Sequence, residues 1–428
     1  MLARALQARG FYYGWVVAGV TFFTMLATAG ALGSAGVMIV PLEHEFGWSD
    51  AAISSALAVR LVLFGLMGPF AAALMNRFGV RSVVLTALML IATGFFASFW
   101  MRQVWQLVLC WGVMVGLGTG MTALVLGATV ATRWFVARRG FVVGLMTASN
   151  ATGQLVFLPL LARITQAAGW RPALGVVAAM LGVAWVLVAL LMRDFPADVG
   201  IAPYGGQEVV RPPARRGGFW AMAGSPVAAL REAGRTQVFW VLFLTFFVCG
   251  LSTNGLIQTH WITLCGDFGV APVAAAGMLA VIGCFDFFGT IGSGWLSDRF
   301  DNRVLLCVFY GLRGVSLIYL PFSHFDVVAL SVFAMVYGLD WVSTVPPTVK
   351  LVAEKFGAAR ANLVFGWVFA GHQFGAATAA FGAGSVRTAF GTYLPAVVVA
   401  GSFCLAASVL VMALKLPAKS RMFAPAQN

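Results

Sequence analysis

Charge is scarce in this chain: Asp, Glu, Lys and Arg make up 10% of its 428 residues, against 61% hydrophobic. Such a chain cannot clothe a folded body in polar side chains, which excludes a water-soluble domain and points to lipid as solvent. Acid is scarcest of all. Fourteen Asp and Glu stand against 27 Lys and Arg, and none of the acids falls within an apolar stretch of the first half. The six cysteines include no C-x-x-C pair, so neither a redox disulfide nor a thiolate metal site is expected. Glycine-rich segments follow no strand and lack the Lys of a phosphate-binding loop, so no ATP-driven motor is encoded. The one long polar stretch holds no nucleophile or metal-ligand constellation. The expectation is therefore no enzyme, no cofactor and no metal.

What is present is apolar length. Stretches lie near 12–40, 52–74, 80–100, 104–130, 141–161, 171–192, 238–263, 272–295, 304–322, 326–349, 362–382 and 393–414. Most exceed the roughly 20 residues that cross a hydrocarbon core of about 30 Å, and none alternates with the period of barrel strands. They predict an all-α membrane protein with twelve transmembrane helices in two pseudo-symmetric six-helix bundles. Residues 1–192 form the first bundle, 193–237 a Pro-, Gly- and Arg-rich linker with an amphipathic helix near Ala221 to Gly234, and 238–428 the second bundle and tail. The first apolar run is too long for a signal peptide and is kept as a span.

The two halves repeat at a fixed offset of 222 residues: Glu45-Phe46-Gly47 returns as Asp267-Phe268-Gly269, Asn76-Arg77-Phe78 as Asp298-Arg299-Phe300, Gly153 as Gly375 and Gly169 as Gly391. Repeated hydrophobic halves are the architecture of transporters. With the N-terminus inside, 21 of the 27 basic residues fall in cytoplasmic segments, which sets an inner-membrane protein with both termini cytoplasmic. The net charge of +13 follows from that bias, so anionic lipid rather than nucleic acid is the expected contact.

The segment Gly294-Trp-Leu-Ser-Asp298-Arg299-Phe-Asp-Asn-Arg303 resembles the G-x-x-x-D-R-x-G-R signature of the major facilitator superfamily. The likeness spans the whole chain. Its first copy keeps Arg77, Gly79 and Arg81 but has Ala72 for the first Gly and Asn76 for the Asp. The resemblance implies that Asp298, and more weakly Asn76, steady one conformation of the transporter; the alternative is that these loops only fix topology. Tyr13-Gly14-Trp15, the Pro41 to Ser49 exit of the first span and Pro196-x-Asp198-x-Gly200 are similar to bacterial monocarboxylate and oxalate-formate porters. That group often carries an Arg one turn after the helix 8 Asp; here Thr290 follows Asp286.

Ionisable groups at membrane depth carry the chemistry, because each is costly unless paired or wetted. Asp286, Arg313, Asp340 and His372 all lie roughly 14 Å from a span end, at 1.5 Å per residue. Arg313 is expected to pair with Asp286 as a buried structural bridge. Asp340 is then a surplus carboxylate, either a proton carrier, with Asp286 as a second candidate, or another partner for Arg313. His372 and Gln373 fall where the repeat places Asn150, as cavity-lining polar groups or as ordinary packing. Arg60 has no acid within any span of its own bundle; it either binds a substrate carboxylate, meets Asp340 across the cavity, or snorkels to headgroups.

The function expected is a monomeric secondary transporter moving a small organic anion of monocarboxylate type by alternating access, with the proton as coupling ion. One alternative is proton-coupled efflux of an amphipathic cation through Asp286 and Asp340. Another, of a different class, is a membrane sensor or scaffold that binds without moving its ligand.

Overall fold

The computed structural model describes residues 10–206, 208–209, 219–297, 299–356 and 358–414. The first half consists of α1 (Gly14–Phe46), α2 (Asp50–Phe78), α3 (Val80–Ser98), α4 (Val104–Trp134), α5 (Arg139–Ala168) and α6 (Trp170–Leu191). A linker helix, Phe219–Ala233, precedes α7 (Gln237–Asp267), α8 (Pro272–Ser297), α9 (Asn302–Tyr319), α10 (Val327–Phe356), α11 (Ala358–Phe390) and α12 (Leu394–Met412). Among the described residues, ten helices are long and apolar enough to cross a membrane; α5 and α11, of 30 and 33 residues, accompany them. Phe288, Val315 and Val409 stand exposed on the outside, as lipid-facing side chains do.

The helices outrun the apolar stretches that announce them. A helix satisfies its own backbone whatever its side chains, so it continues into the interface where polar residues are tolerated. Hence α1 runs on to Phe46 and carries Glu43 and Glu45, while α2 begins at Asp50 behind its Ser49 cap, whose hydroxyl accepts from the Ala52 N–H at 3.2 Å. The 222-residue repeat has a backbone cause at its turns. Gly47 and Gly269 have φ of 66° and 80°, and Gly169 and Gly391 have 88° and 72°, a region where a side chain would clash.

The first half holds an apolar core that runs from Tyr13 to Ile201; a second core joins Val37, Leu158 and Ala162 to second-half residues from Leu251 to Cys404, and a third lies in the second half with Leu66 and Phe70 packed on it. The halves meet along α2 with α11 and along α5 with α8. Two long helices are broken at repeat-related places. In α4 the chain turns at Thr122 and Ala123, between Gly116–Met121 and Leu124–Trp134; in α10 it turns over residues 341–344, with Thr344 in the place of Thr122. A third irregularity is the wide π-helical segment Leu251–Gln258 of α7. Such segments loosen the helical ladder and recur where helices line a site.

The two ends of the molecule differ. At the end bearing the basic loops, Leu124–Trp134 of α4 packs on α1, α2 and α5, and Val345–Phe356 of α10 packs on α7, α8, α9 and α11, each on its own half. At the far end the halves are tied. Arg387 of α11 reaches Glu43 of α1 at 3.1 Å and Asp50 of α2 at 3.5 Å, and the Ala51 N–H donates to Thr388 at 3.2 Å.

Candidate functional site

A small polar cavity lies between the halves where α1, α2 and α7 converge, lined by Gly33, Gly36, Arg60, Asn254, Gln258 and Thr259. The wide turn of α7 turns Asn254 and Gln258 toward it. Gly36 is small of necessity: a Cβ there would sit 3.0 Å from the carbonyl oxygens of both Gln258 and Thr259. Behind Arg60, Gly116 of α4 lies directly against the Arg60 backbone, so a Cβ at that position would meet the Arg60 carbonyl at 2.8 Å. This tight α2–α4 contact fixes the stem of the arginine.

Arg60 is 3% exposed, and its Nε has no hydrogen-bond partner. Among the described residues it forms no ion pair and does not reach Asp340. A buried guanidinium without an anion is strongly unfavourable, and its planar fork suits a carboxylate better than any other ligand. Burial at 3% also leaves no room for snorkelling to headgroups.

Gln373 of α11 is fully buried against Gly65 of α2, and neither end of its amide has a partner. His372 stacks on Phe369 at 5.7 Å and lies 5.0 Å from the Phe246 ring, with Nδ1 unpartnered. These two polar groups therefore line the α2–α11 and α7–α11 contacts. Asn150 sits on α5, but its side chain lies outside the described residues.

The expected Arg313–Asp286 bridge is not what forms. Arg313 Nε donates to Asp340 Oδ2 at 2.6 Å, Nη2 donates to the carbonyls of Asp340 at 2.6 Å and Trp341 at 3.1 Å, and Nη1 donates to Cys249 Sγ at 2.9 Å. Asp286 accepts instead from the Thr290 hydroxyl and the Val342 N–H, both at 3.0 Å. The reason is the break in α10. It leaves the Asp340 carbonyl with only a long 3.3 Å bond from the Ser343 N–H, opens the Trp341 carbonyl to another donor, and frees the N–H at 342; the arginine donates to both carbonyls and the Asp286 carboxylate accepts from the N–H. Sequence spacing places these residues at one depth; the Pro346-Pro347 pair, which lacks two backbone N–H donors, marks the break but not the partners it selects.

The contacts described for the signature loops fall within their own halves. Asn76 Oδ1 accepts from Arg133 Nη2 at 2.7 Å, the Arg81 N–H donates to Asp194 at 2.9 Å, and Arg77 lies over the Phe78 ring at 5.5 Å. In the second copy Arg303 binds Asp301 at 2.6 Å and the Leu414 carbonyl at 3.0 Å, Arg299 stacks on Trp295 at 4.0 Å, and nothing crowds Gly294. Asp298 lies outside the described residues.

One group of residues escapes sequence reasoning. His260 is fully buried beside Tyr393 and Asp50 at the far end. Asp50 reads in sequence as an ordinary first-turn acid after a Ser cap, and nothing in the one-dimensional pattern places it beside α7 and α12.

A lipid-facing helical body with a polar cavity held between its halves defines a membrane transporter. The model of the Major Facilitator Superfamily matches residues 17–380, and the chain belongs to that superfamily of secondary transporters. It is 27% identical over 404 residues to "Monocarboxylate transporter 13" of Rattus norvegicus, covering 94% of this chain and 89% of the relative. It is 24% identical over 376 residues to the "Uncharacterized MFS-type transporter YcxA" of Bacillus subtilis, covering 86% and 87%. The crystal structure of a D-xylose-proton symporter shares the fold, with a TM-score of 0.69 at 14% identity over 93% of this chain and 97% of that one.

Proposed function

We propose that this secondary transporter moves a small monocarboxylate-like anion by alternating access between two bundles, 1–192 and 238–428, joined by the 193–237 linker, with the proton as coupling ion. The observation that carries the reading is Arg60: a buried, unpaired guanidinium on a cavity between the halves. A carboxylate entering that cavity receives the fork of Arg60, and Asn254 and Gln258 offer hydrogen bonds to the rest of the molecule. The relative named a monocarboxylate transporter supports the substrate class.

The difference between the ends supports alternating access. With the basic end cytoplasmic, the halves are tied outside and packed separately inside, the arrangement of an inward-facing state. Arg313, Asp340 and Asp286 hold α10 together within the second bundle, and their partners include no residue of the first. These partners support a framework role for the three residues, and among the described residues neither Asp286 nor Asp340 lines the cavity. Counterflow of labelled pyruvate in proteoliposomes, with and without an imposed pH gradient, tests the proposal. Saturable exchange lost in Arg60→Ala supports it; exchange unchanged in that variant removes Arg60 as the anion site.

A further inference from the structure

We propose that the far-end lock holds a proton shared between Asp50 and His260 through Tyr393, taken up as the far end closes. The inference goes beyond the substrate reading and does not require it.

The basis is a proton count. The Nε2 of His260 lies 2.8 Å from the Ala380 carbonyl, which only accepts, so Nε2 carries a hydrogen. Its Nδ1 lies 3.1 Å from the Tyr393 hydroxyl, and that hydroxyl also bonds Asp50 Oδ2. Tyr393 has one hydrogen for these two contacts. If Asp50 is ionised and His260 neutral, one contact sets lone pair against lone pair. A single further proton repairs both. On His260 it makes Nδ1 a donor to Tyr393, whose hydrogen goes to the Asp50 carboxylate; on Asp50 it donates to Tyr393, whose hydrogen goes to Nδ1.

Nearby acids favour that extra positive charge, against the cost of burying it and the repulsion of Arg387. Asp50 is 2% exposed, with the Ser54 hydroxyl donating to its other oxygen at 2.8 Å. Arg387 of α11 is shared by three acids: Glu43 of α1 at 3.1 Å, Asp267 of α7 at 3.0 Å and Asp50 at 3.5 Å. His44, next to Glu43 on α1, is exposed and is the other titratable group on this face. The lock thus sets one arginine against three carboxylates.

The partners make this a latch rather than a fold support. Asp50 belongs to α2 of the first half, whereas Tyr393, His260 and Arg387 belong to the second, so each contact of Asp50 with these three parts when the far end opens, while His260 and Tyr393 stay together. The closed end then binds one more proton than the open end. Closure is favoured at low pH and lost as pH rises, by up to about tenfold in the closed-to-open ratio per pH unit.

Hydrogen exchange of the far-end segments 49–58 and 381–392, corrected for intrinsic rates, reads the latch without a substrate. In the wild-type chain, protection at about pH 6 should exceed that at about pH 8 by tenfold or more. Asp50→Asn donates its amide hydrogen to Tyr393 without any added proton, so it should stay protected with a flat pH profile. His260→Leu removes the competing acceptor and should also be flat, which serves if the first variant does not fold. A flat wild-type profile, or a wild-type slope retained in either variant, overturns the proposal.

Discussion

Arg313 and Asp340 are joined at 2.6 Å in the interior of the second half, the arginine fully buried, and together they close the gap that the α10 break opens in its own backbone. A buried pair of this kind is strongly destabilised when one member is removed, because the other charge is left without a partner. Arg313→Met should therefore lower stability by about 3–5 kcal/mol, and Asp340→Leu in the same chain should recover part of the loss. Thermal unfolding of the purified variants in detergent measures both. Recovery should be incomplete, since the Trp341 carbonyl loses its arginine donor in either case and the backbone carbonyl at 340 keeps only the 3.3 Å bond from the Ser343 N–H.

If this pair is framework, a folded Asp340→Asn variant keeps its response to a pH gradient in pyruvate counterflow. Loss of that response with normal unfolding behaviour would return Asp340 to the role of proton carrier.

At the cavity, a charge-assisted bond to a ligand is worth about 1.5–3 kcal/mol, so Arg60→Ala should weaken half-saturation for pyruvate by at least tenfold. Arg60→Lys keeps the charge but not the fork and should fall between. The unfolding temperature of Arg60→Ala should not drop below wild type, since the removed cation was unpaired.

The contact of Gly116 with the Arg60 backbone predicts a different failure. A Cβ there meets main-chain atoms of α2 at 2.8 and 3.0 Å, which cannot rotate aside. Gly116→Val should cost about 1–3 kcal/mol of stability and displace Arg60, so transport falls together with thermal stability rather than independently of it.

Asp194 caps the start of α3 through the Arg81 N–H at 2.9 Å. Asp194→Ala should cost about 0.5–2 kcal/mol in unfolding, with half-saturation for pyruvate unchanged because the cap lies at the basic end, away from the cavity.

Much of this molecule is written in one dimension. Apolar length and a 222-residue repeat determine twelve helical stretches, because lipid forces every spanning segment to satisfy its own backbone and the repeat preserves the same turns. Arg60 could be singled out as an arginine without an acid nearby in its half, since rarity is visible in a list of residues.

Partnership could not. Whether Arg313 takes Asp286 or Asp340 depends on where α10 breaks, and whether Asp50 is a solvated cap or a buried latch depends on α7, α11 and α12 closing over it. Hydrophobic periodicity fixes how far each helix goes into the membrane. Which side chains meet is decided by helix rotation and by interruptions of a few residues, and those follow from packing among helices far apart in sequence.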